Sequence, residues 1–257
     1  MSKEFLKFMS FNVRVDVYGD GINAFTNRFD RVIGMINTED PDVIGFQEVN
    51  AKMRTRLRRA LTDYVIIGCG RDSDCHGESA LIAYRESNIE LISLDSVWLS
   101  PTPHLPGSSF GGDQSIYPRM VTTALFKHDA LTDPFRFVNT HLDHSGKNAR
   151  YLGMTEIVQM ISTYKEKFVL TGDFNALPNS PEIALISSAL TDKGVIDCTK
   201  DIKGTFHGFG KFDISDMLKI DYIFTDGACK KAYAVADEPI DGQYYSDHNA
   251  VCALISL

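Results

Sequence analysis

Apolar positions along this chain keep two spacings, and the change from one to the other marks its elements. Phe5, Leu6, Phe8, Met9 and Phe11 predict a first strand that ends at Asn12. Phe25, Phe29, Val32, Ile33 and Ile36 then fall on one helical face, and Pro41 closes that helix. The run 42–46, DVIGF, predicts a buried strand that delivers Gln47 and Glu48 at its end. A helix over 52–61 puts Met53, Leu57, Ala60 and Leu61 on one side. Strands follow at 64–67, 80–84, 89–99, 120–126 and 135–140, several in hairpin-like succession, and the last runs into His141. Met154, Ile157, Val158 and Ile161 mark another helix. Phe168, Val169 and Leu170 form a short buried strand that Thr171 and Gly172 end, and Ser180 with Pro181 starts the next helix. Strands near 220–225, 231–236 and 249–255 finish the pattern. Between them, 101–117 is rich in Pro, Gly and Ser and without periodicity, and so long a connection is often functional.

Strands that come both in hairpins and in alternation with helices predict mixed sheets, and eight to twelve of them split into two packed sheets. A chain of 257 residues is within the range of one large domain, expected here over 1–257. No GxGxxG follows the first strand and no GxxxxGK[ST] occurs, so dinucleotide and P-loop chemistry have no support. A net charge of -8 argues against a broad electropositive face and so against indiscriminate binding of long nucleic acid. Five cysteines without a CxxC pair fit reduced thiols, and a cytoplasmic protein is expected. The stretch MSKEFLKFMSFN has no long apolar segment, and no run approaches a membrane span, so neither a signal nor a span is expected.

The strands share one property: polar groups gather at their ends. In order these are Asn12, Glu48, His141, Asp173, Asn175, Asp221, Asp247 and His248. Each has a plain explanation alone, as when Asp173 and Asn175 bond their own backbone in a turn. Together they supply carboxylates, amides and imidazoles at strand ends, where open α/β sheets carry their chemistry. The basic residues between Lys52 and Arg59 form a solvated helix surface and receive no role; Lys52, Arg56 and Arg59 lie opposite the apolar face.

Six segments carry a resemblance: FMSFNVR at 8–14, PDVIGFQEVN at 41–50, NTHLDH at 139–144, LTGDFNALPNS at 170–180, KIDYIFTD at 219–226 and YYSDHNAV at 244–251. In this order they resemble the endonuclease/exonuclease/phosphatase superfamily of DNase I-like nucleases, deadenylases and phosphatases, and within it the small single-domain bacterial branch. The resemblance implies a four-layer α/β/β/α sandwich and a phosphoesterase that hydrolyses a mono- or diester by in-line attack of an activated water. Glu48 resembles the main metal ligand, with Asn12 and Asp247 near it, and oxygen donors of this kind suit Mg²⁺ or Mn²⁺. His248 and Asp221 resemble a histidine-carboxylate pair, Asp173 and Asn175 would sit beside water and phosphate, and His141 would donate to a phosphate oxygen. Whether His248 or Asp173 takes the proton stays open. Arg119 clamps phosphate, fixes Glu48 or makes a structural ion pair, and His207 in GTFHGF shapes the substrate pocket. Glu78 and Ser79 are weaker candidates, while His76, His104, His128 and His144 are read as surface or loop. The expected partner is a phosphorylated small molecule or a short nucleic acid, and a monomer is expected. The alternatives are a nuclease of short or single-stranded nucleic acid with the same site, and a non-catalytic phospholigand-binding module; the second is disfavoured because every site position is present.

Overall fold

Strand alternation sends neighbouring side chains to opposite faces, and here both faces are apolar. In β1 (Leu6–Asn12), Leu6 and Phe8 enter one buried cluster while Met9 and Phe11 enter another. A strand apolar on both faces must be covered on both. The computed structural model describes residues 5–213 and 215–257; residues 1–4, part of the amino-terminal stretch considered above, and Ile214 lie outside them.

The elements after β1 are α1 (Phe25–Glu39), β2 (Val43–Val49), α2 (Ala51–Ala60), β3 (Tyr64–Ile67), β4 (Ser79–Arg85), β5 (Ile89–Trp98), β6 (Met120–His128) and β7 (Phe135–His141). Then come α3 (Lys147–Ser162), β8 (Lys167–Asp173), α4 (Pro181–Ala189), β9 (Ile196–Asp197), β10 (Asp221–Thr225), β11 (Ala228–Ala234) and β12 (Val251–Ser256). One six-stranded sheet runs β11-β12-β1-β2-β4-β3 and the other β5-β6-β7-β8-β10-β9. Both are mixed, as expected: β1 with β2 and β7 with β8 are parallel, and the remaining pairings are antiparallel.

Three apolar layers separate four structural ones. Phe8, Phe126, Phe135, Phe137, Val169 and Ile223 fill the space between the sheets. Val32, Ile36, Met53 and Leu57 seat α1 and α2 on the first sheet, and Met154, Ile157, Ile161 and Ile186 seat α3 and α4 on the second. Phe8 stacks on Phe137 at 5.9 Å and meets the edge of Phe135 at 5.8 Å, so one ring from the first sheet joins two from the second. A fully buried ring of this kind contributes about 1.5–3 kcal/mol.

Toward the site the interlayer becomes polar. Asn139 of β7 donates across to Phe46 O and Leu81 O at 2.8 and 2.9 Å, and its Oδ1 accepts from Gln47 Nε2 at 2.7 Å and Thr171 Oγ1 at 3.1 Å. Gly45 leaves the space for this seam, since a Cβ there would lie 2.4 Å from Thr171 Oγ1 and 2.6 Å from Asn139 Oδ1.

Several boundaries differ from the sequence reading. Helix α3 starts seven residues before Met154 because Asp113 caps it, accepting from Asn148 N and Ala149 N at 2.8 and 3.0 Å. The aperiodic 101–117 connection supplies that carboxylate. Strand β11 begins at Ala228, not Lys231, and its exposed outer positions and a bulge between Cys229 and Lys231 erase the apolar spacing. Strand β12 begins at Val251, since Asn249 N bonds Thr205 O instead of a strand neighbour. His128 is buried, not on the surface, and its Nδ1 accepts from Ala130 N at 2.9 Å in the turn after β6.

Candidate active site

Register places the first three groups. Asp173 ends β8 opposite His141 of parallel β7 and Asp221 of antiparallel β10, so three candidate side chains stand in one row at the end of the second sheet. Asn12 ends β1 in the other sheet, and its Nδ2 donates to Asp173 Oδ2 at 2.9 Å and to Glu48 Oε1 at 3.0 Å. One amide therefore ties both sheets together.

Glu48 reaches this point through a bulge. Pairing of β2 with β4 shifts register between Phe46 and Val49, and Glu48 takes φ +63°, a conformation costly for a non-glycine residue. Its Oε2 accepts from Val15 N at 2.9 Å. Burial opposes its charge, but that N–H and the Asn12 amide hold its carboxyl below the usual range.

Asp247 and His248 arrive on the 244–250 segment. The Arg28 guanidinium, fully buried, donates to Tyr245 O, Val13 O, Arg14 O and Asn23 O at 2.5–2.7 Å. Ser246 Oγ donates to Asn12 O at 2.6 Å, and Asp247 O accepts from His207 N and Gly208 N. Asp247 is raised by burial and by the Glu48 charge, with Arg14 Nε 3.8 Å from its Oδ2.

His248 Nδ1 lies 2.8 Å from Asp221 Oδ2, and its Nε2 lies 3.8 Å from Asp173 Oδ2. Burial works against an imidazolium here, but Asp221, Asp173 and Asp247 outweigh it and raise the group to about 10. Burial and the Asp221 charge push Asp173 up to about 7, while Asn175 N donates to its Oδ1 at 2.9 Å. His141 Nε2 stands 3.5 Å from Asp173 Oδ2; burial and the Arg119 and Arg71 charges hold the ring neutral, well below its usual pKa. Asn175 takes φ +49° and commits its side-chain Nδ2 to Leu142 O at 3.0 Å.

The eight strand-end residues thus meet at one mouth. Ligand atoms of Asp173, Asp221 and His248 lie within 4.8 Å of one another and could hold a metal. Within that group His248 Nδ1 is already committed to Asp221 Oδ2. Arg119 lies beside Glu48 and His141, but its hydrogen bonds go to Asp143 Oδ2 at 3.4 Å and His144 Nδ1 at 2.9 Å. His144, read as a loop residue, is thus a partner of Arg119. Asp143, held down at about 2 against the cost of burial by N–H donors from Gly146, Ser115 and Ser145, is the other. Ser79 is buried and Glu78 is ion-paired to Arg71 at 3.0 Å, both at the same recess.

His207 is only 2% exposed; its Nδ1 accepts from Gly210 N at 3.2 Å, so a neutral ring carries its proton on Nε2, which has no hydrogen-bond partner among the described residues. Burial and the His248 charge hold it down to about 4. It touches a cleft of about 1030 Å³ at the open edge of the sandwich, between β11 and the 196–213 segment. That cleft reaches the site residues only near His207 and Asn249. Sequence reasoning missed Arg28, Arg14, Arg71 and Asp143. NTHLDH did contain Asp143, and the acid two residues after His141 was its signal.

Among known proteins, the family model described as Endonuclease/Exonuclease/phosphatase family matches residues 9–248. The crystal structure of an endonuclease/exonuclease/phosphatase from Bacteroides vulgatus is 31% identical, with a TM-score of 0.91 over 99% of this chain and 100% of that one. A mannosyl-6-phosphatase of Bacteroides thetaiotaomicron is 25% identical, with a TM-score of 0.87 over 98% and 100%. A protein of Acanthamoeba polyphaga mimivirus is 24% identical over 218 residues, 79% of this chain and 80% of its own length.

Proposed function

We propose, since this chain belongs to the endonuclease/exonuclease/phosphatase family, that it hydrolyses the phosphate ester of a small phosphorylated molecule with a divalent cation. The observation that carries the reading is geometric: His248, paired through Nδ1 to Asp221 at 2.8 Å, turns its Nε2 to within 3.8 Å of the Asp173 carboxyl, which burial and the Asp221 charge raise while Asp221 raises the imidazole against its own burial. Such a pair assigns a base and an acid within one site.

The donor set fits the cation. Half-buried Glu48 and buried Asp247 are carboxylates that repel one another: Asp247 is raised by burial first and by the Glu48 charge as well. Asn12 Oδ1 accepts one bond from Arg14 N at 2.9 Å and keeps a second lone pair. An all-oxygen set with excess negative charge suits Mg²⁺ or Mn²⁺. When bound there, the cation supplies charge neutralisation at the phosphate.

Asp173, aligned by Asn12 and Asn175 N, takes the proton of the attacking water as it ionises near neutral pH. His248, kept charged and oriented by Asp221, donates from Nε2 to a phosphate oxygen. His141, neutral, donates a second hydrogen bond from the other side. The likeness to a mannosyl-6-phosphatase and the net charge of -8 support a small substrate over a nucleic acid.

The deciding experiment is a panel of phosphomonoesters, phosphodiesters and a single-stranded oligonucleotide, assayed with Mg²⁺ and with chelator. Metal-dependent turnover of small esters is expected. Turnover of the oligonucleotide alone would replace this reading with a nuclease, and no turnover of any would leave a binding module. Glu48→Gln keeps the side chain's shape and removes its charge, so Mg²⁺ affinity should fall by about tenfold or more in calorimetry. Unchanged affinity would remove Glu48 from the ligand set.

A further inference from the structure

A recess beside the catalytic mouth holds two buried guanidinium groups that no step above uses. Arg71 is 7% exposed and Arg119 is 5% exposed, and both border the recess with Glu48, Glu78 and His141. Each is fixed along one side. Arg71 Nη1 pairs with Glu78 Oε2 at 3.0 Å, and its guanidinium carbon lies 4.5 Å from the centre of the Tyr117 ring. Arg119 is held by Asp143 and His144.

Each also keeps one buried nitrogen without a hydrogen-bond partner among the described residues, Nε on Arg71 and Nη1 on Arg119. A buried donor left unpaired costs about 1–3 kcal/mol, and two cations sharing a recess add repulsion. Burial and, after it, the Arg71 charge lower Arg119, and burial with both guanidinium charges lowers His141. Two such groups are stable neighbours when an anion joins them.

We propose that Arg71 and Arg119 form a pocket for one terminal oxygen of the substrate's phosphate, and that this pocket makes the enzyme prefer the dianion of a phosphomonoester over a phosphodiester. The recess has a volume of about 10 Å³, room for about one water and therefore for an oxygen atom but not for a sugar or a base. A monoester has three non-bridging oxygens and two charges to distribute among the cation, the histidines and this recess. A diester has two oxygens and one charge, so it leaves one of these donor groups unsatisfied. Planar forks already braced by an ion pair and an aromatic face lose little entropy on binding an oxyanion.

The proposal deepens the phosphoesterase reading and rests on it, so its test includes a binding probe that needs no turnover. The probe is inorganic phosphate with Mg²⁺, measured by calorimetry on wild type, Arg71→Gln and Arg71→Lys, with melting curves for each. Arg71→Lys keeps the charge opposite Glu78 and should fold. Both variants should bind phosphate at least about tenfold more weakly. On monoester and diester substrates with one leaving group, kcat/KM should fall about 10²-fold for the monoester and less than about threefold for the diester. Unchanged phosphate affinity, or equal losses on both esters, would overturn the pocket while leaving the phosphoesterase reading intact. Weakened phosphate binding in a protein that hydrolyses no ester would keep the pocket and remove the enzyme.

Discussion

Burial raises Asp173 and opposes the charge of His248, 3.8 Å away, but the Asp221 carboxylate raises both. Activity that needs ionised Asp173 and protonated His248 should rise through pH about 7 and fall through pH about 10. Removing the Asp221 charge lowers both affinities, so in Asp221→Asn both limbs of the pH-rate profile should move to lower pH. A profile in which only one limb moves would break the assignment. His248→Ala should cost roughly 10² to 10⁴ in kcat, and above pH about 7, where Asp173 is ionised with or without its neighbour, the double variant with Asp221→Asn should be little slower, because there the carboxylate acts through the ring. The residues in this exchange were legible as strand-end polar groups, and the family motifs gave them roles. Arg28 was not, since a lone arginine on a helix reads as surface and only the folded chain brings four carbonyls around it.

Strand β2 combines what sequence can and cannot specify at the level of an element. Its apolar run identified a buried strand ending in Gln47 and Glu48, but nothing in DVIGFQEV announces the bulge that turns Glu48 into the mouth. Nor does it announce that Gly45 faces Thr171 and Asn139 of the opposite sheet. Gly45→Ala should therefore destabilise by about 1–3 kcal/mol through overpacking, read as a lower urea midpoint with an unchanged slope. Helix α1 depends on its buried arginine in a similar way. Arg28→Met strands buried carbonyls at the ends of two site segments and should cost at least about 3 kcal/mol. Because one of those carbonyls is Tyr245 O, Mg²⁺ binding should weaken along with stability; intact metal affinity in a destabilised variant would show that the 244–250 segment holds itself.

At the level of the molecule, the count and mixture of strands predicted two packed sheets, and the motifs predicted their four-layer arrangement. The long lateral cleft was not legible, because it forms between β11, whose exposed outer positions carry no apolar rhythm, and a segment with little regular structure. Stability of the whole also carries a pH dependence from Glu156 on α3. Burial raises this carboxyl from 4.5 to about 7 although Ser100 N donates to it. The folded state then binds the proton more tightly than the unfolded one, so stability should fall as pH rises from about 4.5 to 7. Glu156→Gln should raise the Tm at pH 8 and leave it unchanged at pH 4; an equal rise at both would point to packing instead. The two sheets also differ in how the chain builds them. The second uses only residues between β5 and β10, whereas the first takes β1 to β4 from one end of the order and β11 and β12 from the other. During synthesis the middle sheet can be complete while β1 still waits for β12, and Asp247 and His248 emerge just ahead of that strand. A chain made only as far as β10 thus carries Glu48, His141 and Asp173 without Asp247 and His248, so the proposed hydrolysis requires that the segment leading into β12 has joined them.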